Sequence, residues 1–243
     1  MKKRLDSYLV EKNYFDSRAK AQVHILAGEV YVNNEKILVS SKLISEPCDI
    51  EIKFLSDNYV SRSGIKLKSA LDTFKVNPED KICIDIGAST GGFTECLLRY
   101  GAKKIYSVDV GYGQLDYKLR NNNQVINLEK TNARHLTSEE IPDPIELIVM
   151  DVSFISITKF DNFLKSFTNN QLEFVGLIKP QFELTREKIG KKGIVTNEDF
   201  RTEANLKVSS FLSNYFKNVS EIISSPIKGT KGNIESLIYC SNL

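Results

Sequence analysis

Hydrophobic positions along the chain follow two different rhythms, and the change of rhythm divides it. Over the first 56 residues the apolar runs are short. Leu5, Tyr8 and Leu9 fall on one face of a helix, and Ala21, Val23, Ile25 and Leu26 mark a second helix that Asp16 or Ser17 can cap and Gly28 can stop. Val30-Tyr31-Val32, the turn pair Asn33-Asn34 and Glu35-Lys36-Ile37 then read as a hairpin, and 49–53 alternates as a third strand. The polar stretch Ser56-Asp57-Asn58 opens a linker over 57–60. After it, Leu67, Leu71 and Phe74 line the buried face of a helix, with Lys66 off that face and expected in solvent. From Lys81 onward strands at 82–86, 104–109, 124–127, 146–151, 173–179, 219–223 and 235–239 alternate with helices at 92–100, 115–120, 158–166 and 198–216. This predicts an α/β domain over 61–243: a seven-stranded, mostly parallel sheet covered on both faces, behind a small α+β module.

Composition narrows the class without naming it. With 243 residues, 41% hydrophobic and 26% charged, the chain has the make-up of an ordinary globular protein with a substantial core. No run approaches the roughly 18 apolar residues of a membrane helix, and the start, Met1-Lys2-Lys3-Arg4-Leu5-Asp6, lacks the apolar core of a signal peptide. Cys48, Cys83, Cys96 and Cys240 are scattered without a Cys-x-x-Cys pair, so thiols in a reducing cytoplasm are expected and no metal site. The net charge of +2 gives no global reason to bind nucleic acid. Locally, Lys2, Lys3, Arg4, Arg18 and Lys20 cluster in the small module, but Asp6, Glu11 and Asp16 lie among them. Charge alone supports a solvated face and an RNA-binding face equally. His24 is expected to be a packing or surface residue, and His135 has no evident partner.

Candidate chemistry gathers where strands end, because ligands of such sheets sit at the carboxyl edge. Asp85-Ile86-Gly87-Ala88-Ser89-Thr90-Gly91-Gly92-Phe93-Thr94 joins the first of these strands to a helix through a glycine turn. It fits neither the dinucleotide fingerprint nor a P-loop; its mark is the acid, Asp85, two residues before Gly87. The next strand ends in Asp109, spaced to hold a ribose diol, which suits an adenosine-bearing ligand. Asn132, Asp151 and Lys179 mark later strand ends. Lys179 closes a strand expected to be buried on both faces, where a charge is costly unless paired or used. Glu235 opens the last strand, which runs antiparallel and so begins at the same edge. Lys188, Lys191 and Lys192, between glycines, form a basic loop suited to phosphates or simply solvated.

The glycine turn with Asp85 and the later Asp109 resembles the cofactor loop of S-adenosylmethionine-dependent methyltransferases. Two short helices and a hairpin, with Ser17-Arg18-Ala19-Lys20-Ala21 and Gly28-Glu29-Val30-Tyr31-Val32-Asn33, resemble the S4 RNA-binding domain. Five stretches occur in order: Tyr59-Val60-Ser61-Arg62 before Lys66, the glycine turn, Met150-Asp151-Val152-Ser153-Phe154-Ile155-Ser156, Leu177-Ile178-Lys179-Pro180-Gln181-Phe182-Glu183, and Gly232-Asn233-Ile234-Glu235. With them the chain resembles the TlyA (haemolysin A-like) family, an S4 domain joined to an FtsJ-type, Rossmann-like class I methyltransferase domain. That resemblance implies 2′-O-methylation of cytidine in ribosomal RNA, with ribosomal RNA or subunits as partner. It maps a Lys-Asp-Lys-Glu tetrad onto Lys66, Asp151, Lys179 and Glu235. It implies a cofactor site of Asp85, Gly87, Ser89, Gly91, Gly92 and Phe93 at the methionine part, Asp109 at the ribose, Asn132 at the adenine edge and Asp151 at the amino group. Arg62 joins the basic residues above as an expected RNA contact. Ser63 and Thr196-Asn197 depart from the family's usual residues; the latter bears on RNA contact. A lysine base needs surroundings that favour its neutral form, so Lys179 is expected either to take the hydroxyl proton or to steer the hydroxyl. The alternatives are a non-catalytic RNA binder and a membrane-lytic protein.

Overall fold

The computed structural model describes residues 2–15, 17–26, 28–52, 59–229 and 231–243, and for Lys2 only the backbone. Asp16 and the linker positions Asp57 and Asn58 lie outside them. The chain divides into units of residues 1–58 and 59–243.

In the first unit, β1 (Lys2–Arg4) runs into α1 (Leu5–Glu11), and α2 (Arg18–Leu26) follows. The Ser17 hydroxyl accepts the Lys20 N–H at 3.3 Å, so Ser17 supplies the cap. β2 (Val30–Val32) and β3 (Glu35–Lys36) form the expected hairpin, and Asn33 and Asn34 both take positive φ, as the tight turn requires. β4 (Leu43–Ser45) pairs with β1, and β5 (Ile50–Ile52) with β2. The β1–β4 pair was not legible in the sequence because β1, Lys2-Lys3-Arg4, has no apolar residue to mark it as a strand. Leu5, Leu9, Ala21, Ile25 and Val30 are fully buried and form this unit's core.

The second unit is the α/β domain. α3 (Ser63–Phe74) precedes β6 (Ile82–Ile86), α4 (Gly92–Arg99), β7 (Lys104–Val108), α5 (Tyr117–Arg120) and β8 (Val125–Leu128). Then come β9 (Leu147–Met150), α6 (Asp161–Phe167), β10 (Glu173–Ile178), α7 (Pro180–Glu183) and α8 (Glu198–Leu212). The strand expected at 219–223 is two short pieces, β11 (Asn218–Val219) and β12 (Ile223–Ser224), both antiparallel to β13 (Ser236–Ser241). At its middle the ladder is irregular: Ser220 N–H donates to the Tyr239 carbonyl at 2.9 Å, while the Tyr239 N–H is taken by the Ser220 hydroxyl instead of a backbone carbonyl. The sheet therefore has the order β11-β13-β10-β9-β6-β7-β8, with β12 beside β13. Alternate residues of β9 explain its unbroken apolar sequence. Leu147 and Val149 face a core with Leu67 and Leu71 of α3 and Leu97 of α4, while Ile148 and Met150 face one with Phe163 of α6 and Val208 of α8.

Register places the site. Ile86 lies opposite Val108 on one side and Met150 on the other, so Gly87, Asp109 and Asp151 are each the first residue past the sheet's edge. Ile178 lies opposite Ser236, so Lys179 and Glu235 face each other just beyond the ladder. Helix α3 packs on α4 and β13, which brings Lys66, from its first turn, to the same edge.

Candidate active site

Two ion pairs occupy that edge. The Lys66 ammonium donates to Glu235 Oε2 at 2.5 Å, and Lys179 Nζ lies 2.6 Å from Asp151 Oδ1. Lys66 is only 8% exposed and Glu235 3%, so the expectation of a solvated Lys66 is wrong. The helical pattern put Lys66 off the face that meets the sheet, and β13 covers that flank from far along the chain. A cation so buried persists because its counter-ion is buried with it. The Lys179–Asp151 contact is close but not a directed hydrogen bond, since Asp151 Oδ1 accepts none. Lys179 does donate a directed bond to Ser153 Oγ, at 2.8 Å.

Three cavities open around these side chains. One of about 530 Å³, the size of a small-molecule site, is lined by Gly87, Ser89, Asp109, Gln114, Asn132, Asp151 and Phe160 among others. A second, of about 240 Å³, has Ser61, Arg62, Ser63, Lys66, Phe93, Lys179 and Glu235 in its wall. A third, of about 500 Å³, lies between Phe154, Gln181 and Phe182 on one side and Gly193, Lys231 and Asn233 on the other. Gly87, Ser89, Asp151 and Ser153 border both the first and the second.

The glycine turn is built for close approach. A Cβ on Gly87 would lie 2.5 Å from the Asp151 carbonyl oxygen at a φ of +84°, so only glycine lets the turn pack onto the β9 loop. Asp109 organises the turn from across the cavity: Ser89 N–H donates to its Oδ2 at 2.8 Å and Gly111 N–H to its Oδ1 at 2.7 Å. Of the other expected cofactor residues, Asn132 and Asp151 border the first cavity and Phe93 the second, whereas Gly91, Gly92 and Asp85 lie behind this surface. Gly91 and Gly92 line none of the three cavities; side chains there would run into Leu119 and Ser63. Asp85 is fully buried beneath the turn, where it accepts the Thr94 hydroxyl at 2.6 Å and its Oδ1 has no partner among the described residues. Burial pushes the Asp85 carboxyl up to about 7, against the pull of the Thr94 bond and with help from the Asp151 charge.

The basic residues divide. In the first unit the buried Asp6 carboxylate accepts from Arg4 at 2.8 Å, from Arg18 at 3.1 Å and from Gln22 at 2.7 Å, and the Arg4 guanidinium holds its carboxyl far below the usual range. Lys3 pairs with Glu11 at 2.6 Å, and Lys20 is exposed. Lys188, read as part of a basic loop, instead gives its ammonium to both oxygens of Glu203 at 2.5 Å. Arg62, Lys191 and Lys192 are exposed and have no ion pair among the described residues. His24 stacks on Phe15, a packing role. Sequence reasoning missed Glu183 and Asn233, although both lie in stretches quoted above. Buried Glu183 accepts from the Ser156 hydroxyl and, at 2.9 Å, from Ile157 N–H, so it fastens the Asp151 loop to the turn after Lys179. Asn233 accepts Val195 N–H at 2.9 Å and donates to the Gly193 carbonyl at 2.8 Å, pinning the lysine loop beside Glu235.

A glycine turn, a strand-end carboxylate facing it and a lysine–acid edge between cavities are the parts of a group-transfer site, and comparison with known proteins gives them a family. Residues 59–242 match the FtsJ-like methyltransferase model and residues 3–49 the S4 domain model. The 16S/23S rRNA (cytidine-2′-O)-methyltransferase TlyA of Mycobacterium tuberculosis is 35% identical over 97% of this chain and 88% of its own. This chain belongs to the TlyA family of FtsJ-like methyltransferases. Hemolysin A of Brachyspira hyodysenteriae, 48% identical over 97% of this chain and 98% of its own, matches along nearly the whole length. So does the solved structure of a hemolysin-named protein from Streptococcus thermophilus, with a TM-score of 0.72 at 36% identity, covering 98% of this chain and 87% of that one. Despite the hemolysin name, no helix among the described residues of the TlyA-family chain is long and apolar enough to cross a membrane.

Proposed function

We propose that this chain transfers a methyl group from S-adenosylmethionine to the ribose 2′-hydroxyl of a cytidine in ribosomal RNA. The observation that carries the reading is the register that sets Lys179 and Asp151 beside Lys66 and Glu235 where the three cavities meet. Two relatives support the substrate by name: the M. tuberculosis protein above, and the 23S rRNA (cytidine-2′-O)-methyltransferase TlyA of Campylobacter jejuni, 37% identical over 94% of this chain and 83% of its own.

The residues of the largest cavity fit S-adenosylmethionine. Asp109 would offer a carboxylate to a ribose diol, the turn at Gly87 and Ser89 would border the methionine part, Asn132 would border the adenine end, and Asp151 would face the amino group. Bound there, the cofactor supplies a methyl carbon activated by a sulfonium. The protein's own work is on the acceptor. A ribose hydroxyl is a weak nucleophile, so Lys179 takes up or orients its proton while Asp151 holds the lysine in place. Lys66, fixed by Glu235, lends positive charge to the developing alkoxide. Arg62, Lys191 and Lys192 are free to meet phosphates flanking the target. The S4 unit, with Arg4, Arg18 and Lys20 on its surface, adds a second hold on the RNA.

The test is incubation of the protein with labelled S-adenosylmethionine and ribosomal subunits, wild type beside Lys179→Ala. Label on a cytidine ribose, lost by at least about 100-fold in the variant, is the expected result for an acid–base group. Equal label with both proteins removes the role of Lys179. Label with neither leaves an RNA-binding protein without transfer activity.

A further inference from the structure

Ser153 stands at a place the assigned chemistry does not use. Among the described residues it alone borders all three cavities, whereas Lys179 borders two and Asp151 two. It sits three residues past the end of β9, on the loop that Glu183 fastens to the turn carrying Lys179. Its hydroxyl accepts the one directed hydrogen bond that Lys179 makes among the described residues. The ion pair with Asp151 fixes how far the amine can stray but not how it is turned, because a Coulombic attraction has little directional preference. A hydrogen bond does have one.

We propose that Ser153 is a positioning residue for methyl transfer, aiming the Lys179 amine at the acceptor hydroxyl. A lysine nitrogen has three directions besides its bond to carbon. With Ser153 holding one N–H and the Asp151 carboxylate close beside the nitrogen, the direction left over is the one available to an acceptor hydroxyl. In the neutral amine that direction carries the lone pair that takes a hydroxyl proton; in the ammonium it carries an N–H that steers the hydroxyl. Ser153 therefore serves either version of the reaction. The inference rests on the proposed role of Lys179 and is tested apart from it.

Steady-state methylation of ribosomal subunits with labelled S-adenosylmethionine is measured for wild type, Ser153→Ala, Ser153→Thr and Lys179→Ala. Losing one hydrogen bond to a charged partner lowers kcat of Ser153→Ala about tenfold, with the KM values for cofactor and RNA within about threefold of wild type. Ser153→Thr keeps the hydroxyl and recovers kcat to within about threefold. The inference is overturned if Ser153→Ala keeps the wild-type kcat while Lys179→Ala is inactive, or if Ser153→Thr is as slow as Ser153→Ala. It is also overturned if only the KM for S-adenosylmethionine rises, which makes Ser153 a cofactor contact. An active Lys179→Ala instead strikes at the parent reading, whatever the serine variants do.

Discussion

Asp85→Asn separates a carboxylate's charge from its shape, and its effect depends on pH. In the native protein Asp85 is sealed beneath the glycine turn, with one oxygen bonded to Thr94 and the other without a partner among the described residues. Burial pushes its carboxyl up from 3.8 to about 7. A raised acid binds its proton more tightly in the native state than in the unfolded one, so Asp85 supports the fold fully below about pH 4 and that support is lost as pH rises to about 7. A rise of about three pH units, at about 1.4 kcal/mol each, sets an upper limit on the order of 4 kcal/mol. The asparagine carries no charge at either extreme. Its oxygen still accepts from Thr94, but its NH₂ takes the place of the unpartnered oxygen and becomes a buried donor, which costs about 1–3 kcal/mol at every pH. The sign of the difference at one pH is therefore uninformative, while its slope is decisive. Urea unfolding followed by far-UV circular dichroism, at steps from about pH 4.5 to about pH 8, should show the variant gaining on wild type as pH rises. A constant offset across that range would refute the claim that the buried carboxyl is ionised at the expense of stability.

Glu235→Ala leaves the Lys66 ammonium buried without a counter-ion and should cost about 3–5 kcal/mol in urea unfolding, whereas Lys66→Met combined with Glu235→Leu should regain most of that without regaining activity. Asp109→Ala removes the acceptor of the Ser89 and Gly111 N–H groups and the partner offered to the ribose; calorimetric titration should show S-adenosylmethionine affinity reduced about 10- to 100-fold. Asp6 is held below the ordinary carboxylate range, so its stabilisation is complete above about pH 4 and fades as pH falls further. Asp6→Asn should therefore speed hydrogen exchange in α1 and α2 at neutral pH, and the gap from wild type should close in acid.

The large domain was legible because its strands are written twice. Ile84, Ile148 and Phe174 fill one face while Cys83, Leu147 and Val175 fill the other, so the strands read as unbroken apolar runs ending in polar residues, and the ends named the site. Short strands with little apolar content were less visible: β1 and β4 were missed, and 219–223 gave no sign that the ladder is irregular at its middle. Lys66 was misplaced for a different reason. Helical periodicity reports the face against the sheet, and the cover over its flank comes from β13, some 170 residues away in sequence. Lys188 looked like its neighbours Lys191 and Lys192, because nothing local marks Glu203 as its partner. Ser153 and Asn233 escaped notice because a small polar side chain beside a strand end has no pattern of its own; only the meeting of distant loops gives it a task.

β13 is the last strand of the chain described above, yet it lies inside the sheet, between β10 and β11, and Glu235 precedes it directly. One short stretch thus supplies both an interior plank of the domain and the acid that steadies Lys66. Loosening this plank would strip Lys66 of its counter-ion in the same motion that opens the middle of the sheet, so the lysine–acid edge and the domain interior stand or fall together.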